Sequence, residues 1–305
     1  MADNQVEKSV DGFGVLSQRL DLLTAQLGEI SRLVTETRSL VGPFGVPMPS
    51  GNMLVQTLHG LKYLIDPTDL IMAPQLIVYR QWEPDLSALF NDILRPDSVV
   101  VDVGANFGYF TCLAGARIGT TGKGQVFAFE PNPHMVELLR ANCAINWSMC
   151  PIAVHPVAVG ATKQTVQLAV PRGRAANGSL SRPQDTDGET DCFMVELDSI
   201  DSMVPSDVVV DVMKIDVEGH EANVLRGAQE TLARSPNALI IMEWSMEQMK
   251  TANQSWQAMM GIFTDLRLAC YLVPPTGKLS DAVELSPETL QQTPYANLLL
   301  RQRAS

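Results

Sequence analysis

The chain has 305 residues, a formal net charge of −12, 46% hydrophobic residues and 18% charged residues. This composition fits an ordinary globular protein with one large α/β domain plus an appendage, and the acidic balance disfavours nucleic acid and anionic membrane surfaces as partners. Five cysteines without a CxxC pair fit reduced cytoplasmic thiols better than a disulfide framework or a zinc site.

The first twelve residues lack an apolar h-region, so no signal peptide is expected, and no apolar run reaches the ~18–20 residues of a membrane span. From Phe13 the apolar residues fall at Leu16, Leu20, Leu23, Leu27, Ile30, Val34 and Val41 in steps of three and four, with Thr37 in phase. This narrow a/d stripe predicts a coiled-coil helix and a homo-oligomer, although Gly28 weakens it. Pro43 and Pro47 end the helix. We therefore divide the chain into an oligomerisation helix (1–45), a linker with hairpin and pre-domain helix (46–97), and a main domain (98–305).

Two short strands are expected around Leu58-His59-Gly60, then a helix from Pro84 to Leu94. Val99 to Val103 is a β-branched run of the kind buried on both faces of a parallel sheet, and it leads through Gly104 and Gly108 into a helix ending near Gly119. A strand over 125–130, a helix from Pro133, and a strand from Val154 to Val159 follow. Thr165–Val170 and Cys192–Leu197 read as an antiparallel pair around a polar, substrate-facing loop, in which Asn177, Ser179 and Ser181 suit hydroxyl recognition. Further strands are expected over Val208–Asp216, Leu239–Glu243 and Cys270–Val273. One helix is predicted over Glu221–Leu232 and another over Trp256–Leu268, and Ala296–Leu300 closes the sheet. This alternation predicts a doubly wound Rossmann-like sheet.

A Gly turn at the carboxyl end of a strand leaves free backbone N–H groups where open α/β sheets bind ligands. Here Asn106 replaces the second Gly of the dinucleotide fingerprint, so the turn suits a ligand without pyrophosphate. Asp102 can take an amino group and Glu130 two ribose hydroxyls. Together with Gly104, Gly108 and Pro131, these residues point to S-adenosylmethionine (SAM). Lys214 and Asp216 lie two apart on one strand and so share a face of the sheet. With Glu218 and His220 they form the candidate reaction cluster. His220, with an ordinary pKa of ~6.5, and Asp216 both remain as the base. Asp198, Asp216 and Glu218 leave a divalent-metal alternative open, although it is not favoured. Trp82 and Tyr79 are candidates to cover the cofactor.

The motifs Val101-Asp102-Val103-Gly104-Ala105-Asn106-Phe107-Gly108, Glu130-Pro131-Asn132-Pro133 and Met213 through Glu221, with Val224-Leu225-Arg226-Gly227-Ala228, resemble the FkbM family of class I SAM-dependent methyltransferases. Trp82-Glu83-Pro84 and Leu197-Asp198-Ser199-Ile200 add to the likeness, which spans about residues 52–302. It implies a seven-stranded sheet with one reversed strand, and O-methylation of a sugar, glycan or glycosylated small metabolite. The competing readings are a SAM-binding scaffold without activity and an NAD(P)-dependent oxidoreductase.

Overall fold

The computed structural model describes residues 3–41, 45–147, 149–174, 178–180 and 190–303. It divides into two compact units, residues 1–44 and 45–305. The first is helix α1 (Asp3–Val41). Leu20, Leu23, Leu27, Ile30 and Val34 of its apolar stripe are exposed. Arg32 reaches Glu29 at 2.6 Å and Glu36 at 2.5 Å, three and four residues away and off that stripe. The side chains of Phe13, Leu16 and Val41 lie outside the described residues, as do residues 42–44.

The second unit opens with strands β1 (Val46–Pro47), β2 (Met53–Gln56) and β3 (Lys62–Ile65), then helices α2 (Met72–Val78) and α3 (Pro84–Ile93). Next come β4 (Val99–Val103), α4 (Tyr109–Ile118), β5 (Gln125–Phe129), α5 (Pro133–Ile145) and β6 (Ile152–His155). A side sheet uses β7 (Ala158–Val159), β8 (Gln164–Pro171) and β9 (Thr190–Asp198), followed by α6 (Ile200–Met203). The chain continues through β10 (Val212–Ile215), α7 (Glu221–Arg226), α8 (Gln229–Arg234), β11 (Leu239–Ser245), α9 (Met246–Thr251) and α10 (Trp256–Asp265). It finishes with β12 (Leu268–Leu272), β13 (Val283–Glu284), α11 (Pro287–Gln292) and β14 (Tyr295–Gln302).

The main sheet has the order β13-β12-β14-β11-β10-β4-β5-β6. β6, β5, β4, β10 and β11 are parallel, and β14 runs against its neighbours β11 and β12. Seven strands with one reversed are therefore present, extended at one edge by the two-residue β13. The expectation that Ala296–Leu300 closes the sheet needs correction, because β14 inserts between β11 and β12.

Alternating residues of the central strands bury on opposite faces, which is why the strands read as unbroken apolar runs. Val101, Val103, Met213, Ile215, Ile240 and Met242 face one core, and Val100, Val212 and Ile241 face the other. The polar residues Asp102 and Lys214 are register partners, and by the same alternation both fall on the second face.

Three other expectations are corrected. The strand expected over Val154–Val159 breaks at Pro156, which has no N–H to continue the ladder, so β6 joins the main sheet and β7 the side sheet. The strand expected over Val208–Asp216 begins only at Val212. The helix expected over Glu221–Leu232 breaks at Gly227, where a Cβ would lie 2.0 Å from the Gly160 carbonyl oxygen. There Asp201 caps α8, accepting from the backbone N–H groups of Glu230 and Thr231 at 3.0 and 2.8 Å. Asn142 and Asn146 carry a role that periodicity does not show. They bond both backbone groups of Leu64 and Lys62, sealing the edge of β3 onto α5.

Candidate active site

The turn after β4 is held by its own hydrogen bonds. The N–H groups of Gly104 and Ala105 both donate to the Phe129 carbonyl at 3.0 Å, and that of Gly108 to the Ala105 carbonyl at 2.9 Å. Asn106 N–H donates to Glu130 Oε2 at 2.8 Å, and Phe107 N–H to Asn106 Oδ1 at 2.7 Å. The expectation of free N–H groups therefore fails for this turn. Asn106 sits at φ 55°, a left-handed conformation that Asn tolerates better than most residues.

The two glycines serve packing. Gly104 has φ 77°, and a Cβ there would lie 1.8 Å from the backbone oxygen of Asp216. At Gly108 a Cβ would lie 2.5 Å from Leu139 Cδ1. The close approach at Gly104 is thus to the next turn of the protein rather than to a ligand. It presses the β4 and β10 turns together, and Asp216 N–H bonds the Val103 carbonyl at 3.0 Å.

A cavity of about 260 Å³ opens over these strand ends. Gly104, Asn106, Glu130, Pro131, Lys214, Asp216, Glu218 and His220 all line it; Gly108 does not. Asp102, expected to meet an amino group, lies beneath the wall. It is 1% exposed, and its Oδ2 accepts the Thr111 hydroxyl at 2.6 Å. Its Oδ1 is buried without a hydrogen-bond partner, and burial raises its carboxyl above the usual range despite the Lys214 charge. Trp82 lines the cavity, held by the Tyr109 hydroxyl on its N–H at 3.1 Å, whereas Tyr79 is exposed and does not. From the loop after β8, Gly178 and Leu180 reach the wall. Ser179 pairs its backbone with Ala169, and Asn177 and Ser181 lie outside the described residues.

Residues 102–267, more than half of the chain, match the family model described as the methyltransferase FkbM domain. The chain belongs to the FkbM methyltransferase family. Over 162 residues it is 33% identical to the hexuronic acid methyltransferase AglP of Haloferax volcanii, a match covering 52% of this chain. The chain spans 61% of that relative's length. Among solved structures, it is similar to a SAM-dependent O-methyltransferase of Thermotoga maritima at 14% identity and TM-score 0.39, covering 83% of this chain and 78% of the other. A TehB-like SAM-dependent methyltransferase of Corynebacterium glutamicum shares 8% identity at TM-score 0.39, covering 75% and 94%. At these scores the overlays carry no argument, and the fold assignment rests on the strand order itself.

In this FkbM chain, Lys214 Nζ bonds Asp216 Oδ2 at 2.9 Å and lies 5.2 Å from the centre of the Phe110 ring. The lysine side chain is 5% exposed, and that of Asp216, facing the cavity, 34%. Burial alone would push the ammonium pKa down, but Asp216, Asp102 and Glu83 around it hold the pKa above its ordinary value. Glu218 accepts Gln248 Nε2 at 2.7 Å. Burial lowers His220 below its usual range, which leaves a neutral imidazole at pH 7. Asp198 is absent from the cavity wall; it bonds Ser202 Oγ at 2.6 Å and Lys163 Nζ at 3.2 Å. The proposed trio with Asp216 and Glu218 is not assembled. Among the described residues, no group of three His, Cys, Asp or Glu is placed to hold a metal ion.

Glu83, Glu243, Gln248 and Tyr295 also line the cavity, and spacing arguments pass over them. Glu243 had a signal available, since it directly follows the parallel β10–β11 ladder, which ends at Met242, just as Glu130 follows β5. Burial, with Asp216 and Glu218 nearby, pushes Glu243 up to about 9, and burial raises Glu130 to about 7. A carboxyl raised by folding adds stability that is complete below its unfolded pKa, here 4.5, and lost as pH rises through its folded value. The melting temperature should therefore fall relative to that of Glu243→Gln between pH 5 and pH 9. Parallel melting curves would contradict this.

Proposed function

We propose that this chain transfers a methyl group from SAM to a hydroxyl of a sugar, glycan or glycosylated small metabolite. The observation that carries the reading is one cavity holding Glu130 and the β4 turn beside the Lys214–Asp216 pair, Glu218 and His220. The hexuronic acid in the name of the Haloferax relative supports a sugar as the acceptor.

The residues fit the cofactor. Each Glu130 oxygen accepts one backbone N–H, from Asn132 and from Asn106, leaving lone pairs for two ribose hydroxyls. Val157, Val159 and Leu168 offer an apolar wall for a base. When bound, SAM supplies a sulfonium-activated methyl group. Lys214 fixes the Asp216 carboxylate at the cavity wall, where it can orient the acceptor hydroxyl. His220, kept neutral, accepts the hydroxyl proton, with Asp216 or Glu218 as the alternative acceptor. Because an alcohol is far less acidic than imidazolium, the proton leaves as the new C–O bond forms, and positioning matters more than basicity.

Glu130→Ala should weaken binding of the demethylated product S-adenosylhomocysteine (SAH) by about 10–100-fold, in line with ~1.5–3 kcal/mol for charge-assisted hydrogen bonds. Calorimetry measures it. His220→Ala and Asp216→Asn should keep SAH affinity and lose transfer of label from SAM into a glycan or metabolite extract. Full transfer by both variants would refute the assigned reaction site. SAH binding by the unaltered chain without any transfer would favour the scaffold reading.

The exposed stripe of α1 supports self-association through a coiled coil. Light scattering should give a higher mass for the full chain than for residues 46–305, and equal monomeric masses would refute it. We place the enzyme in the reducing cytoplasm on its five unpaired cysteines. Among the described residues no helix is long and apolar enough to cross a membrane.

A further inference from the structure

The cavity changes character along the sheet. Glu130 and Pro131 wall it beyond β5, Gly104 to Asn106 beyond β4, Asp216 to Glu218 beyond β10, Glu243 just past the β10–β11 ladder and Tyr295 at the start of β14. Strands lie ~4.8 Å apart, so Glu130 and Glu243, three strands apart, are separated by about 14 Å. A nucleoside seated at Glu130 covers the β5 and β4 side of that span, which leaves the β10–β11–β14 end for the acceptor.

Two carboxyl groups there have unmet hydrogen-bonding capacity. Glu83, entering from the start of α3, accepts Asn297 Nδ2 on Oε1 at 3.0 Å, while its Oε2 is buried without a hydrogen-bond partner. Asn297 is also the register partner of Glu243 across β11 and β14, so both glutamates meet the same β14 residue. Glu243 Oε2 is likewise buried without a hydrogen-bond partner. The charge around them is one-sided. Glu83, Asp216, Glu218 and Glu243 line this end, and Lys214 is the single Lys or Arg among the described lining residues. That cation is already bonded to Asp216 at 2.9 Å.

We propose that Glu83 and Glu243 are the acceptor-recognition pair, that they bind hydroxyl or amine groups of a non-anionic sugar, and that this end of the cavity rejects uronic acids. The proposal rests on the reading of the cavity as the methyl-transfer site. A buried oxygen lacking a donor is a standing cost that hydroxyl or amine hydrogens relieve. A sugar carboxylate would instead be desolvated among carboxyl groups with no unengaged cation beside it. Burial and the neighbouring Asp216 raise the proton affinity of both glutamates, and a further carboxylate brought among them would meet the same unfavourable surroundings.

Saturation-transfer NMR on the full chain with SAH bound would test it, using methyl glycosides of neutral hexoses, hexosamines and hexuronic acids as probes. Binding of a neutral or amino glycoside at least ten-fold tighter than of any uronide is expected. A stronger signal for hexosamines would identify ion pairing as the main contact, and equal signals would identify hydroxyl recognition. The Glu83→Gln/Glu243→Gln double variant should reduce that discrimination while keeping SAH affinity. Uronide binding as tight as that of the neutral probes, or saturation transfer to none of the probes, would overturn the proposal. Calorimetry with SAH on the same samples separates the two failures: loss of SAH binding refutes the cofactor reading, whereas SAH binding with uronide recognition refutes only the acceptor class.

Discussion

Gly104→Ala is expected to be the most damaging single-methyl change in the second unit. An alanine at φ 77° would sit in the left-handed region, at a cost of ~1–2 kcal/mol. Its Cβ would also lie 1.8 Å from the Asp216 backbone oxygen and 2.9 Å from the carbonyl carbon. No rotamer relieves an overlap with backbone, so the two turns must separate and the Asp216 N–H to Val103 bond must stretch. A loss on the order of 3–5 kcal/mol combines the strain with severe overpacking. Gly60→Ala is the matched control, because Gly60 has φ 83° with nothing within 4 Å of its added Cβ. Urea denaturation should show Gly104→Ala far below Gly60→Ala, with SAH affinity down by at least about 100-fold in whatever material folds. Equal midpoints for the two variants would mean that the turns are not in close contact.

Lys214→Met should cost a similar amount for a different reason. The ammonium is buried between Asp216 and the Asp102 carboxyl, with Glu83 close by. Removing the cation from a buried ion pair leaves uncompensated charge and costs about 3–5 kcal/mol. Asp102 and Glu83 already lie above their ordinary range, and without Lys214, which pulls both down, they would rise further. Such raised carboxyls stabilise fully below their unfolded pKa and lose that contribution as pH rises through the folded value. The deficit of Lys214→Met relative to the unaltered chain should therefore widen from pH 5 to pH 8. Adding Asp102→Asn should recover part of it, as coupled neighbours do. A deficit that is constant with pH would show that the lysine acts by packing alone.

The β4 turn was the most legible part of the site. Its apolar run, two glycines and Asn106 state a strand, a reversal and a helix start. The pairing of Lys214 with Asp216 also follows from strand alternation alone. The partners of the turn were not legible. The Phe107 N–H has a local acceptor in Asn106 Oδ1, but Gly104 and Ala105 donate across to Phe129 and Asn106 to Glu130, all twenty-four or more residues away in sequence. Likewise the break at Gly227 depends on Gly160, and the β6–β7 division on which sheet each side of Pro156 joins.

What the sequence determined by itself was the local alphabet: buried strands, the apolar stripe of α1, and the residues whose chemistry suits a nucleoside and a hydroxyl. These follow from periodicity and side-chain type, which are set within a few residues. Only the tertiary structure decided that β14 inserts beside β11, because strand order depends on long-range pairing. That insertion carries Asn297 and Tyr295 to Glu243, and Asn297 in turn receives Glu83 from 214 residues away. The packing of α4 on β4, through the Thr111 hydroxyl, put Asp102 under the wall instead of on it. The β4–β5 side of the cavity was therefore readable from neighbouring residues, while the side with Glu83, Glu243 and Tyr295 exists only once distant strands have closed over it.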